Sequence, residues 1–149
     1  MTFGLDTTFL VQCDIREHPG HRKAREFLLS RIEKGDLFAL TPQTAAEYLH
    51  IVTDPKRFER PLTMETALRK AETWWSAAET RRVFPNEETF VLFQNWMRNR
   101  KLGRKRILDT LLAATYHSNG IRAVVSSNAR DFTCYEVFTV IDPASAPGP

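Results

Sequence analysis

The 149-residue chain has the length of one domain, and its 42% hydrophobic residues are enough for a core that needs no metal or disulfide staple. With 26% charged residues it is not a disordered chain, no apolar run is long enough to span a membrane, and the first residues are not expected to form a secretion signal. The net charge is only +3, but six cations and no acid fall between Arg98 and Arg106, a clump that favours polyanionic partners, with a solvated basic face as the alternative.

In chain order, Phe3-Gly4-Leu5 reads as a short central strand ending in the capping residues Asp6-Thr7-Thr8, after which Phe9-Leu10-Val11 begin a short helix. The spacing of Ala24, Phe27, Leu28 and Ile32 predicts a helix over His21–Glu33, and Leu37–Leu40 a second buried strand. Thr41-Pro42 opens a helix carrying Glu47 and running to about Thr53, followed by the cationic loop 56–61. Thr63 caps a helix over Met64–Glu79, Arg82-Val83-Phe84 is a brief third strand, and Asn86 caps the helix that leads to the basic run. A helix from Leu108 to Ser118 stops at Asn119-Gly120 and leads into a strand over Ile121–Ser126. A polar loop carries Ser126, Asn128 and Asp131, Glu136–Val140 is the fifth strand, and residues 143–149 are expected to be a flexible tail beyond a domain spanning 1–142.

Strands alternating with helices imply an α/β fold with a mostly parallel sheet covered on both faces. If the first strand is central, the order 3-2-1-4-5 reverses beside Asp6, and sites in such sheets form at that reversal. Asp109, Glu47 and Asp131 then reach the same edge as Asp6. Converging carboxylates repel, and a divalent cation resolves the repulsion; all-oxygen ligands suit Mg²⁺ or Mn²⁺ rather than zinc. Taken singly, each acid is explained by a cap, a solvated helix face or a turn.

Four short stretches, Leu5-Asp6-Thr7-Thr8-Phe9-Leu10, Thr44-Ala45-Ala46-Glu47-Tyr48, Ile107-Leu108-Asp109-Thr110-Leu111-Leu112-Ala113-Ala114 and Val124-Val125-Ser126-Ser127-Asn128-Ala129-Arg130-Asp131-Phe132, resemble motifs of the PIN-domain ribonucleases, and most closely the VapC-type toxins of bacterial toxin–antitoxin pairs. Thr8 and Ser126 are mild departures from the usual residues. The resemblance implies a three-layer α/β/α sandwich and a Mg²⁺- or Mn²⁺-dependent endoribonuclease, with a homodimer and an antitoxin protein as partners. It implies Asp6, Glu47 and Asp109 as metal ligands, with Asp131 holding a second ion or a metal-bound water and Asn128 sharing that work. Thr7, Thr8 and Ser126 support the ligands or a phosphate, and Arg98, Arg100, Lys101, Arg104, Lys105 and Arg106 attract RNA, with Arg57 and Arg60 adding to the path. An inert PIN-like binding domain is the competing reading. A receiver-like phosphoacceptor is disfavoured because Val83-Phe84-Pro85-Asn86 lacks an aspartate. The two cysteines, Cys13 and Cys134, fit no metal or redox spacing, and a reducing cytoplasm is expected.

Overall fold

The computed structural model describes residues 1–145. Five parallel strands, β1 (Thr2–Leu5), β2 (Leu37–Leu40), β3 (Thr80–Arg82), β4 (Ala123–Val125) and β5 (Thr139–Ile141), form one sheet in the order β3-β2-β1-β4-β5. Helices α1 (Thr7–Asp14), α2 (His21–Glu33), α3 (Pro42–Val52) and α4 (Met64–Ser76) contribute to the core on one face. Helices α5 (Glu87–Asn99), α6 (Ile107–Ser118) and α7 (Arg130–Thr133) contribute to the core on the other, and a 3₁₀ turn over Arg104–Arg106 leads into α6.

The period of two along each strand sorts residues between the layers. Phe3 and Leu5, Phe38 and Leu40, and Ala123 and Val125 face the α1–α4 layer, while Ala39 and Val124 face α5–α7. On β1 and β2 large residues fill the first face and Gly4 and Ala39 the second, where Tyr116 of α6 packs over the two central strands. A Cβ on Gly4 would stand 2.9 Å from the Tyr116 ring, and the fully buried Tyr116 hydroxyl donates to Leu5 O at 2.6 Å and to Ala39 O at 3.2 Å. Gly4 is therefore required for close packing, and the phenol fixes how α6 sits over the two central strands.

Several boundaries differ from the sequence reading, each for a local reason. Helix α4 stops at Ser76 rather than Glu79: Ala77 is extended, and the Thr80 hydroxyl donates to Trp74 O at 2.7 Å, turning the chain early. β3 accordingly pairs at Thr80–Arg82, two residues before the expected strand, although Val83 N–H still donates to Leu40 O. β5 starts at Thr139 because Glu136 takes a left-handed φ of 61°, which no strand continues through. The polar loop before it contains the single turn α7, and helix α1 begins at Thr7, directly after its cap Asp6. The expected tail is described only to Ser145, where Lys23 Nζ donates to Ala144 O; residues 146–149 lie outside the described residues. No helix among the described residues is long and apolar enough to cross a membrane.

Gly4→Ala should destabilise the fold by about 1–3 kcal/mol, the usual range for overpacking a dense core. Denaturant unfolding of the two proteins checks this, and an unchanged midpoint would mean that the Tyr116 ring yields freely.

Candidate active site

Asp6 closes β1 and caps α1, so a single carboxylate must serve both a sheet end and a helix start. Its Oδ1 accepts from Thr7 N–H at 2.9 Å, and Oδ2 accepts from the Thr8 hydroxyl at 2.8 Å and the Ser126 hydroxyl at 2.6 Å. Ser126 follows β4, the strand paired with β1 across the reversal, and its Oγ in turn accepts from Asn128 N–H at 2.9 Å. Ser127 N–H reaches Thr8 Oγ1 at 3.3 Å. The residue is only 9% exposed, and that burial raises its pKa despite the three donors, with Asp131 adding to the rise.

The other acids arrive on three further elements. The Thr41 hydroxyl caps α3 through Thr44 N–H, and one turn later Glu47 Oε2 accepts from the Thr7 hydroxyl at 2.9 Å while Oε1 accepts from Gln43 at 3.3 Å. Gln43 also donates to Leu108 O at 2.9 Å, tying α3 to the head of α6. Asp109 lies in the first turn of α6, where the helix N-terminus favours an acid. Asp131 stands on α7, with Oδ2 accepting from Asn128 Nδ2 at 2.6 Å. Burial first, then Asp131, with smaller contributions from Asp6 and Glu47, push the Asp109 pKa up to about 6, while Arg106 opposes the rise. The structure thus brings all four expected acids into one electrostatic environment at the carboxyl edge of the sheet.

Thr7, Thr8, Ser126 and Asn128 all bond directly to one of these acids. Two of the six expected RNA-facing cations are engaged elsewhere. Arg100 donates to Cys134 O at 2.6 Å and Tyr135 O at 2.8 Å and pairs with Glu136 at 3.4 Å, so it braces the loop after α7. Arg106 turns into the acid cluster, 2.6 Å from Asp131 Oδ1 and 3.2 Å from Asp109 Oδ2. The i,i+3 spacing of Arg106 and Asp109 on one helix start was the available signal for this pairing. Arg98, Lys101, Arg104 and Lys105 are exposed. Arg57 pairs with Asp54 at 3.6 Å and lines a cleft of about 460 Å³ together with Thr8, Phe58 and Ser127, beside Asp6. Arg60 lines a separate cleft with Ile15 and Glu59. Gln43 and Tyr116 are the residues that hold the site together and that sequence reading did not single out.

The donors are carboxylate oxygens without His or Cys, a chemistry that suits Mg²⁺ or Mn²⁺. Among the described residues no three such side chains are gathered closely enough to cage an ion. In this arrangement hydroxyls, amides and the Arg106 guanidinium hold the carboxylate oxygens. The donor set therefore fits a hard divalent cation in its chemistry, and these side chains would have to move to close around one.

These features define a three-layer α/β/α protein with an oxygen-only acid site where the strand order reverses. The family model for the PIN domain matches residues 4–135, and the chain belongs to that family. It is similar to ribonuclease VapC48 of Mycobacterium tuberculosis, 28% identical over 145 residues covering 97% of this chain and 99% of that protein. It is also similar to ribonuclease VapC24 of the same organism, 25% identical over 146 residues covering 97% and 98%. Among solved structures, VapBC-1 from nontypeable Haemophilus influenzae matches with a TM-score of 0.67 at 16% identity, covering 97% of this chain and 100% of that one. VapC20 of M. tuberculosis, described as a sarcin-ricin loop cleaving toxin, matches with a TM-score of 0.68 at 14% identity, covering 91% and 95%.

The raised Asp109 pKa has a signed consequence. Without metal, the native state binds the extra proton between the ordinary carboxylate pKa of 3.8 and about 6, so stability is lost as pH rises through that window. His18 and His117, whose pKa values burial lowers, act in the opposite direction, so the comparison needs a variant. In a metal chelator, the melting temperature of Asp109→Asn should gain on the wild type as pH rises from 4 to 7. A constant gap between the two would mean that neither burial nor the neighbouring acids raise the Asp109 pKa.

Proposed function

We propose that this chain is an endoribonuclease that takes Mg²⁺ or Mn²⁺ at the edge formed by Asp6, Glu47 and Asp109, with Asp131 beside it. The observation that carries this reading is the gathering of Asp6, Glu47, Asp109 and Asp131 at one sheet edge, where Asp131, Asp6 and Glu47 add to the rise that burial gives the Asp109 pKa. Such crowding destabilises a fold and persists where a cation relieves it. The names of the relatives, ribonucleases matched along nearly their whole length, point to the same chemistry. A divalent cation supplies an acidified water and neutralises charge developing on a phosphodiester.

The residues of the chain do the rest. Three donors fix the Asp6 carboxylate, so it cannot swing away when the substrate arrives. The Thr7 hydroxyl sets the Glu47 rotamer, and Gln43 keeps α3 and α6 at a constant separation. Arg104 and Lys105, exposed just before the helix turn that carries Asp109, offset a surface that would otherwise repel an RNA backbone. Arg57 offers a second cationic contact from the neighbouring cleft.

The chain is read further as the toxin of a toxin–antitoxin pair, blocked by a cognate antitoxin protein and acting as a homodimer. The likeness to VapBC assemblies and to the VapC ribonucleases supports this reading. One observation favours the alternative of an inert PIN-like binding domain: the Arg106 guanidinium already sits among the acids. RNA cleavage with and without Mn²⁺ separates the two.

Asp6→Asn should lower Mn²⁺-dependent RNA cleavage by more than about 100-fold, beyond the range for outer-shell partners of a metal, while the protein stays folded. Parental activity in the purified variant would remove Asp6 from the site. In that non-cleaving background, replacing Arg104 and Lys105 with alanine should flatten the slope of log affinity against log salt. At about 0.7 per neutralised phosphate on single strands, the change is roughly one to one and a half units. An unchanged slope in the salt titration would mean that RNA enters elsewhere.

A further inference from the structure

Arg106 carries the only guanidinium bonded to the site acids among the described residues, and its geometry is two-sided. Nη1 donates to two carboxylates, Asp131 Oδ1 at 2.6 Å and Asp109 Oδ2 at 3.2 Å. Nη2 donates to Asp131 O at 2.8 Å and to Cys134 Sγ at 3.3 Å, so that half of the fork holds the backbone and thiol side of α7. The residue's own backbone is equally fixed. The Thr110 hydroxyl donates to Arg106 O at 2.6 Å and lies 2.7 Å from Tyr135 Oη, joining the 3₁₀ turn to the loop after α7. The side chain is only 23% exposed, so water screens its charge poorly.

We infer that Arg106 is a built-in counter-cation that competes with the divalent ion for the acid cluster and thereby sets how tightly the site takes metal. This rests on the metal-site reading above. The charge argument is direct. One fixed positive charge among four carboxylates relieves part of their repulsion, and a second cation arriving beside it must work against the first. The geometry says how the competition resolves. Asp131 keeps its orientation through Asn128 Nδ2 on Oδ2, and Arg106 keeps Nη2 on α7, so Nη1 can release Asp109 and Asp131 Oδ1 without either side chain losing its anchor. A guanidinium suits this task better than an ammonium because its planar fork divides between two sets of acceptors. Arg106 is thus a positioning residue: it acts on the metal through Asp109 and Asp131 and orders α7 when no metal is bound.

A purely structural role predicts the opposite sign. If Arg106 only pins α7, its loss lets Asp131 drift and weakens metal binding. If it competes, its loss tightens metal binding while lowering the stability of the metal-free protein.

The test is calorimetric titration of the full chain with Mn²⁺ alone, together with melting temperatures in chelator, for the wild type, Arg106→Gln and Arg106→Lys. Arg106→Gln should bind Mn²⁺ at least about tenfold more tightly and melt lower without metal. Arg106→Lys, which keeps the charge and loses the fork, should bind Mn²⁺ with an affinity near that of the wild type and also melt lower without metal. Equal or weaker Mn²⁺ binding by a folded Arg106→Gln overturns the inference while leaving the metal site standing. No saturable binding by the wild type or by either variant overturns the metal site itself, and the inference with it. Should Arg106→Gln fail to fold, the side-chain NMR signal of Arg106 in the wild type decides. A shift on saturation with Mg²⁺ is expected, and an unmoved signal contradicts release of Nη1.

Discussion

A carboxylate that is nine-tenths buried at the end of a parallel strand must be surrounded by donors, and this requirement for Asp6 shapes the molecule around it. The three donors come from both sides of the sheet reversal: Thr7 and Thr8 from the start of α1, and Ser126 from the end of β4. Because β1 and β4 pair in register through Phe3, Gly4 and Leu5, a slip of one residue would carry Ser126 away from Asp6 and turn the core face outward. Sheet register, helix cap and candidate site therefore specify one another. Tyr116 reinforces the same centre from below, with its hydroxyl on the carbonyls of Leu5 and Ala39 and its ring in the space that Gly4 leaves open.

Around that fixed point the site is balanced rather than relaxed. Four acids gather at one edge; neutral donors alone hold Asp6 and Glu47, while Arg106 bonds Asp109 and, together with Asn128, Asp131. The donors to Asp6 and Glu47 come from α1, α3 and the end of β4, all well packed against the sheet. The donors to Asp131 are Arg106, on a 3₁₀ turn, and Asn128, in the loop before the single-turn helix α7. The Asp6–Glu47 side thus rests on packed elements, and Asp131 on a single turn that Arg106 ties to the head of α6.

The parts of this picture legible in the sequence were those with a strong period or a strong cap. Helix α2 and strand β2 run over the residues that their apolar spacing predicts, and the strand order follows from a central β1. The placement of the four acids at one edge was legible from the strand order, with Asp6, Asp109 and Asp131 at strand or helix ends and Glu47 one turn into α3, and the chain belongs to the PIN-domain family that the motifs resemble. Three features were not legible. β3 was displaced because the apolar signal of Val83 and Phe84 outweighed Thr80, whose hydroxyl turns the chain. α7 is too short to show a period. Arg106 reads as one more member of a basic run; its i,i+3 spacing signals the pairing with Asp109 but not the second carboxylate, Asp131. Only the fold, by bringing α7 beside the head of α6, gives it two carboxylates to hold.

The claim on which this account depends is that the acid edge between β1 and β4 takes a hard divalent cation. Anomalous diffraction from crystals of the full chain soaked in Mn²⁺ tests it most directly. The account expects a peak coordinated by Asp6 and Asp109, within reach of Glu47 and with the Arg106 Nη1 contacts opened. The absence of anomalous density at that edge in fully soaked crystals, or a peak only at surface acids elsewhere, would contradict it.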